Sequence, residues 1–246
     1  NYTLAAGSEV EMLSTTSVAG TAAIALAGNA FGQIIAGNAG ANIINGGAGA
    51  DTLYGYGGND LYYVDNAGDR VIETAGGGSD RILASVSHTL AAGSEVEVLS
   101  TTSAAGTAAI ALTGNAFSQT IVGNAGANVI DGGAGADTLY GDGGNDSFRF
   151  DTALGAANID RVLDFSIPAD TIQLENGVFT GLAAGSLAAG AFHAGAAAQD
   201  ADDRVIYNSA TGALLFDHDG LGGTAAVQFA TLSAGLAMTS ADFFVT

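Results

Sequence analysis

"GGAGADTLYGDGGND", Gly132 to Asp146, combines a glycine-rich run with an aspartate every nine residues. Residues 46–60 read "GGAGADTLYGYGGND", the same fifteen residues with Tyr56 where the later stretch has Asp142. The repetition extends outward from these stretches. Residues 2–60 align without gaps to 88–146, an offset of 86, with 49 of 59 positions identical. A duplication this close marks a chain built by adding structural units, as solenoids and arrays are.

Each copy also carries a nine-residue period. Apolar residues recur at Leu26, Ile35, Ile44, Leu53, Tyr62 and Val71, then at Leu112, Ile121, Ile130, Leu139 and Phe148. Two positions before them runs a polar series: Gln33, Asn42, Asp51, Asp60 and Asp69, then Gln119, Asn128, Asp137 and Asp146. A period of nine suits neither a helix of 3.6 residues per turn nor a hairpin meander. It suits a strand of about three residues with its central side chain inward, followed by a glycine-rich turn. Two such units per coil make a parallel solenoid in which residues eighteen apart stack, placing Asp51 over Asp69 and Asn42 over Asp60. Two carboxylates ~5 Å apart repel by about 3 kcal/mol at an effective dielectric near 20. Such short strands bury too little apolar surface to absorb that cost at coil after coil. A hard divalent cation relieves it, and calcium accepts the irregular oxygen shell that turns present. Glycine lets the backbone adopt positive φ and turn its carbonyls toward an ion.

Composition agrees with a slender, cation-seeking molecule. The 246 residues carry 25 acidic side chains against five arginines and no lysine, a formal charge of −20, which repels nucleic acid and anionic membranes. Eleven Phe, seven Tyr and no Trp leave bulky core residues thin for this length. With no Cys, disulfides and thiolate metal sites are excluded. No apolar run reaches the ~18 residues of a membrane-spanning helix. No basic segment leads into an apolar one at the start, and Asn1-Tyr2-Thr3 lies inside a repeat, so the natural protein is expected to extend upstream.

"GGAGADTLY" resembles the G-G-x-G-x-D-x-U-x nonapeptide of the hemolysin-type calcium-binding (RTX) repeats. The resemblance implies an all-β fold, a parallel β-roll followed by a carboxy-terminal β-rich cap, with several bound calcium ions. It further implies that the sixth-position aspartates, here Asp51, Asp60, Asp137 and Asp146, are ligands. Carbonyls of Gly46, Gly47, Gly49, Gly55, Gly57, Gly132, Gly133, Gly135, Gly141 and Gly143 would assist them. Asp69 falls in register, although its turn "VDNAGD" has lost the leading glycines. Beyond Asp146 the expected sixth position is Gly155, and Asp151 is the substitute from a neighbouring position. Asn42 and Asn128 offer oxygen without charge and imply weaker or empty sites, while the Gln33 and Gln119 turns read as metal-free.

Three units are expected: 1–75 and 76–150 for the two copies, forming one continuous solenoid, and 151–246 for a cap in which the period disappears. Four of the five arginines follow an aspartate and precede Val or Ile, at Arg70, Arg81, Arg161 and Arg204. They read as covering the outer face of a strand and pairing with nearby carboxylates. The "DRVIYNSATGALLF" stretch reads as a hairpin turning at Thr211-Gly212, and Asp217-His218-Asp219-Gly220 as either a further calcium loop or a solvated turn. "AAGSLAAGAFHAGAAA" is either a short helix or a loop. The terminal "ADFFVT" resembles the uncleaved signal of type I secretion substrates, implying export by that machinery to the exterior or the cell surface.

No H-E-x-x-H, G-x-S-x-G or glycine-lysine phosphate loop occurs, and His88, His193 and His218 share no metal-ligand spacing, so the chain itself is not expected to be an enzyme. Three readings follow. The first is a calcium-triggered folding and secretion module. The second is a structural or adhesive surface protein whose rolls associate through their edges into homo-oligomers. The third is the non-catalytic end of a secreted protease or lipase.

Overall fold

The computed structural model describes every residue, Asn1–Thr246. Each nonapeptide forms a three-residue strand and a turn, as in Ala25–Ala27, Ile34–Ala36, Ile43–Asn45 and Thr52–Tyr54. In Ala25–Ala27, Thr52–Tyr54, Thr120–Val122 and Thr138–Tyr140 only the central residue is buried, because side chains alternate across a strand. Strand pairing is parallel. Leu26, Ile44, Tyr62 and Ile82 stack on one face, and Leu13, Ile35, Leu53 and Val71 on the other. The coil of two nonapeptides expected from the sequence is therefore the coil observed.

One face is a single sheet of thirteen strands, running from Tyr2–Thr3 through the roll and on into the cap. The opposite face is divided. A four-stranded sheet ends at Arg70–Ile72, and a seven-stranded one begins at His88–Thr89. The break falls at the junction of the two sequence copies. From Met12–Ser14 to His88–Thr89 the chain makes nine strands, an odd number. Equivalent strands of the two copies consequently lie on opposite faces: Thr52–Tyr54 in the four-stranded sheet, Thr138–Tyr140 in the long one.

The roll does not stop near residue 151. Asp160–Val162 and Thr171–Leu174 continue the parallel stack on Thr138–Tyr140 and Ser147–Phe150. The period lengthens instead of disappearing: Asp160 lies 23 residues beyond its stacking partner Asp137, and Asp170 lies 24 beyond Asp146. The extra residues are accommodated in longer turns at 151–159 and 163–170.

The cap then closes the stack. Val205–Asn208 and Ala213–Phe216 form an antiparallel hairpin through Gly212, whose φ is +80°. Val227–Thr231 joins that hairpin to Asp160–Val162, and Phe243–Val245 lies parallel to Thr171–Leu174. "AAGSLAAGAFHAGAAA" resolves into the strand Gly185–Ser186, a 3-10 turn at Ala189–Ala191 and the strand Phe192–Ala194. Here the core becomes aromatic. Phe179 meets Phe216 and Phe229 edge to face with centroids 5.2 and 5.0 Å apart, and Phe150 meets Phe229 at 5.1 Å. Such pairs add about 0.5–1.5 kcal/mol each beyond their burial. No helix is long and apolar enough to cross a membrane.

The arginines differ in part from the sequence reading. Arg70, Arg81 and Arg161 do lie exposed on outer faces, but none of the four makes an ion pair. Arg81 bonds the Ser100 hydroxyl, and Arg204 the carbonyls of Ala201 and Asp203. Only Arg149, outside the motif, reaches carboxylates: Asp151 at 3.4 Å and Glu175 at 3.9 Å. On a flat outer strand face, the carboxylates that precede these arginines have turned inward, out of their reach.

Candidate metal centre

The inward-turned carboxylates form two ladders, one along each edge of the roll. In each, the Oδ1 of a sixth-position residue accepts the backbone N–H of its counterpart one coil earlier. Gln33 N–H donates to Asp51 at 2.6 Å, and Asp51 N–H to Asp69 at 3.0 Å. On the other edge Asn42 donates to Asp60 at 2.5 Å and Asp60 to Asp80 at 2.8 Å. The second copy repeats the arrangement, with Gln119 to Asp137, Asp137 to Asp160, Asn128 to Asp146 and Asp146 to Asp170 at 2.6–3.0 Å. Strand spacing sets this stacking, so the charges come close whatever their repulsion.

The second carboxylate oxygen separates two kinds of turn. In one kind it is satisfied within the turn. Asp69 Oδ2 accepts N–H bonds from Asp65 and Asn66, and Asp170 Oδ2 accepts one from Ser166. The Asn42 and Asn128 amides likewise close on Asn38 and Asn124, and the Gln33 and Gln119 amides on Asn29 and Asn115. In the other kind it has no partner. The Oδ2 atoms of Asp51, Asp60, Asp80 and Asp137 are buried with no hydrogen bond. Those of Asp51, Asp60, Asp137 and Asp146 lie against the first glycine of their own turn, Gly46, Gly55, Gly132 or Gly141, where any Cβ would overlap the carboxylate.

The open turns share a backbone signature. Their second and fourth residues have positive φ: Gly47 +79° and Gly49 +120°, Tyr56 +77° and Gly58 +97°, Gly133 +79° and Gly135 +120°, Asp142 +65° and Gly144 +124°. Tyr56 and Asp142, the one position at which the two fifteen-residue stretches differ, are the only non-glycine residues held in this region. The carbonyls of Gly46, Gly55, Gly132 and Gly141 lie over the first glycine of the preceding coil. The Gly133 carbonyl is taken by the Thr152 hydroxyl at 2.7 Å. Gly57 and Gly143 stack on Ala39 and Ala125. Asp151 pairs with Arg149, and Asp160 takes the ladder place behind Asp137. Asp217 Oδ1 closes its own loop on the N–H groups of Asp219 and Gly220.

Burial without a cation penalises the ionised form. It pushes the Asp51, Asp60 and Asp80 carboxyls up to about 6 and that of Asp146 to about 7. Asp137 and Asp160 are also pushed up, by burial first; the neighbouring Asp160 charge adds to the shift at Asp137, and the Asp131 charge to that at Asp160. No arginine reaches any of these groups. Orphaned, buried carboxylate oxygens beside glycine-made space, with oxygen as the only available donor, fit a hard divalent cation. The ladder positions absent from the sequence reading, Asp80, Asp160 and Asp170, had a signal. Asp80 and Asp160 share Asp-Arg-(Val/Ile) with Asp69, and Ala169-Asp170-Thr171 repeats Ala50-Asp51-Thr52.

Residues 28–70 and 113–148 match the model of the RTX calcium-binding nonapeptide repeat, in four copies. No curated protein matches the chain. The chain thus carries RTX calcium-binding repeats wound as a parallel β-roll, and calcium is the ion such repeats bind.

Proposed function

We propose that this chain is a calcium-triggered folding module that serves type I secretion. It leaves the cell unfolded and becomes compact when it meets extracellular calcium. The ions sit at the open turns, with Asp51, Asp60, Asp137 and Asp146 as carboxylate ligands and the carbonyls of Gly46, Gly55, Gly132 and Gly141 nearby. Asp69 and Asp151 fall outside this set, because their carboxylates already have partners. The observation that carries the reading is the group of buried Oδ2 atoms with no partner at Asp51, Asp60 and Asp137. Inside the cell calcium is scarce and those charges oppose folding. Outside, ion binding becomes folding free energy.

The export reading makes a structural demand at the carboxy-terminal segment. Asp242 is buried and caps a turn with Thr239, while Phe243–Val245 is a strand of the seven-stranded sheet. A secretion machine that reads these residues reads them on a chain not yet folded.

Equilibrium dialysis of the full chain at neutral pH tests the binding. Several calcium ions per chain are expected, retained in the presence of magnesium, whose demand for near-octahedral geometry suits these turns poorly. A chain that retains no calcium contradicts the reading.

A further inference from the structure

The turn between Arg70–Ile72 and Arg81–Ala84 departs from the pattern in a specific way. Tyr54 pairs with Ile72, so Glu73 occupies the place one coil beyond Gly55, where a repeat has its first glycine. The Glu73 side chain turns into the roll. Its Oε1 accepts the Tyr62 hydroxyl proton, and Oε1, the Tyr62 oxygen and Asp60 Oδ2 all crowd the position a Cβ on Gly55 would need. Its Oε2 has no partner, and neither do Asp60 Oδ2 and Asp80 Oδ2. Glu73, Asp60 and Asp80 are 2 %, 2 % and 1 % exposed, and one oxygen from each lies within 4.8 Å of the other two. Oxygens about 2.3–2.6 Å from a shared calcium span this range.

We propose that the cation of the Gly55 turn is held by Asp60, Glu73 and Asp80 together, unlike those of the other open turns, and that it ties the last coils of the first copy at the seam with the second. The proposal rests on the calcium reading above. The second copy supplies the contrast. Asp164 stands one coil beyond Gly141, as Glu73 does beyond Gly55. Its carboxylate takes the N–H groups of Gly141 and Asp142 at 3.0 and 2.8 Å, so both of its own oxygens are paired. At Glu73 three buried acids converge, and no basic residue approaches them. The site also lies where the opposite face loses its ladder. Glu73 N–H donates to the Ser94 hydroxyl at 2.9 Å, a side-chain bond in place of the strand pairing that ends with Arg70–Ile72. An ion here ties the last coils of the first copy together at the level of the interruption.

The test compares calcium stoichiometry of the full chain with that of Glu73→Gln, which keeps an acceptor for Tyr62 but removes the charge. One ion fewer is expected in the variant, with the remaining ions bound as before. Equal stoichiometry overturns the proposal and leaves the regular sites standing, whereas no calcium on the unaltered chain removes both readings. Where Glu73→Gln does not recover a roll spectrum in saturating calcium, terbium luminescence excited through tyrosine decides. Tyr62→Phe is expected to lower the sensitised emission relative to the unaltered chain, and unchanged emission overturns the proposal.

Discussion

Removing calcium with a chelator at neutral pH is expected to unfold the roll, with loss of the β signal in circular dichroism and its return when calcium is restored. An ion at a hundredfold excess over its dissociation constant stabilises the folded state by about 2.7 kcal/mol. Four such ions supply about 11 kcal/mol, comparable with the roughly 5–15 kcal/mol by which whole domains are stable. Three-residue strands with one buried side chain each offer little to set against that loss. Protons can partly replace the metal. The folded-state carboxyls of Asp51, Asp60 and Asp80 lie raised to about 6 and that of Asp146 to about 7, above their unfolded values. Each therefore favours the fold fully below its unfolded value near 4 and loses that contribution as pH rises through 6–7. In chelator, β structure is expected to grow as pH falls from 8 toward 4. A spectrum that stays fully β in chelator at pH 8 contradicts this account.

Asp137→Asn and Asp69→Asn are expected to fail in different ways. At Asp137 an asparagine keeps the Oδ1 acceptor for Gln119 N–H but puts an NH2 where the unpartnered Oδ2 faces the turn. One ion is lost, so the deficit against the unaltered chain grows with calcium concentration, reaching about 3 kcal/mol near saturation. At Asp69 the replaced oxygen faces the N–H groups of Asp65 and Asn66, and the new NH2 leaves donors opposed to donors. That costs about 1–3 kcal/mol, the same at every calcium concentration. Urea unfolding across a calcium series separates the two. A calcium-dependent deficit in Asp69→Asn would place a ligand where the structure shows a closed turn.

Much of this site was legible because a nine-residue period leaves little geometric choice. With Ile35 pointing inward and stacked on Leu53, Asp51 must stack on Asp69 and Asn42 on Asp60. Turn chemistry was less legible. Whether a sixth-position carboxylate closes on its own backbone depends on φ at the second and fourth residues, which Gly47 and Gly49 reveal and "VDNAGD" conceals. Asp160 and Asp170 were hidden by insertions of a few residues, which shift a linear period without moving a strand from its neighbour. Glu73 left no sequence signal, since only stacking shows that it stands in a glycine's place. The exchange of faces between copies follows from an odd strand count that includes the irregular segments from 73 to 89, whose strands no period announces.

Diffraction from crystals grown with calcium tests most directly whether ions fill the gaps between coils. Anomalous density is expected beside the Oδ2 atoms of Asp51, Asp60, Asp137 and Asp146, and none beside Asp69. Well-ordered water alone at those four carboxylates would contradict this account.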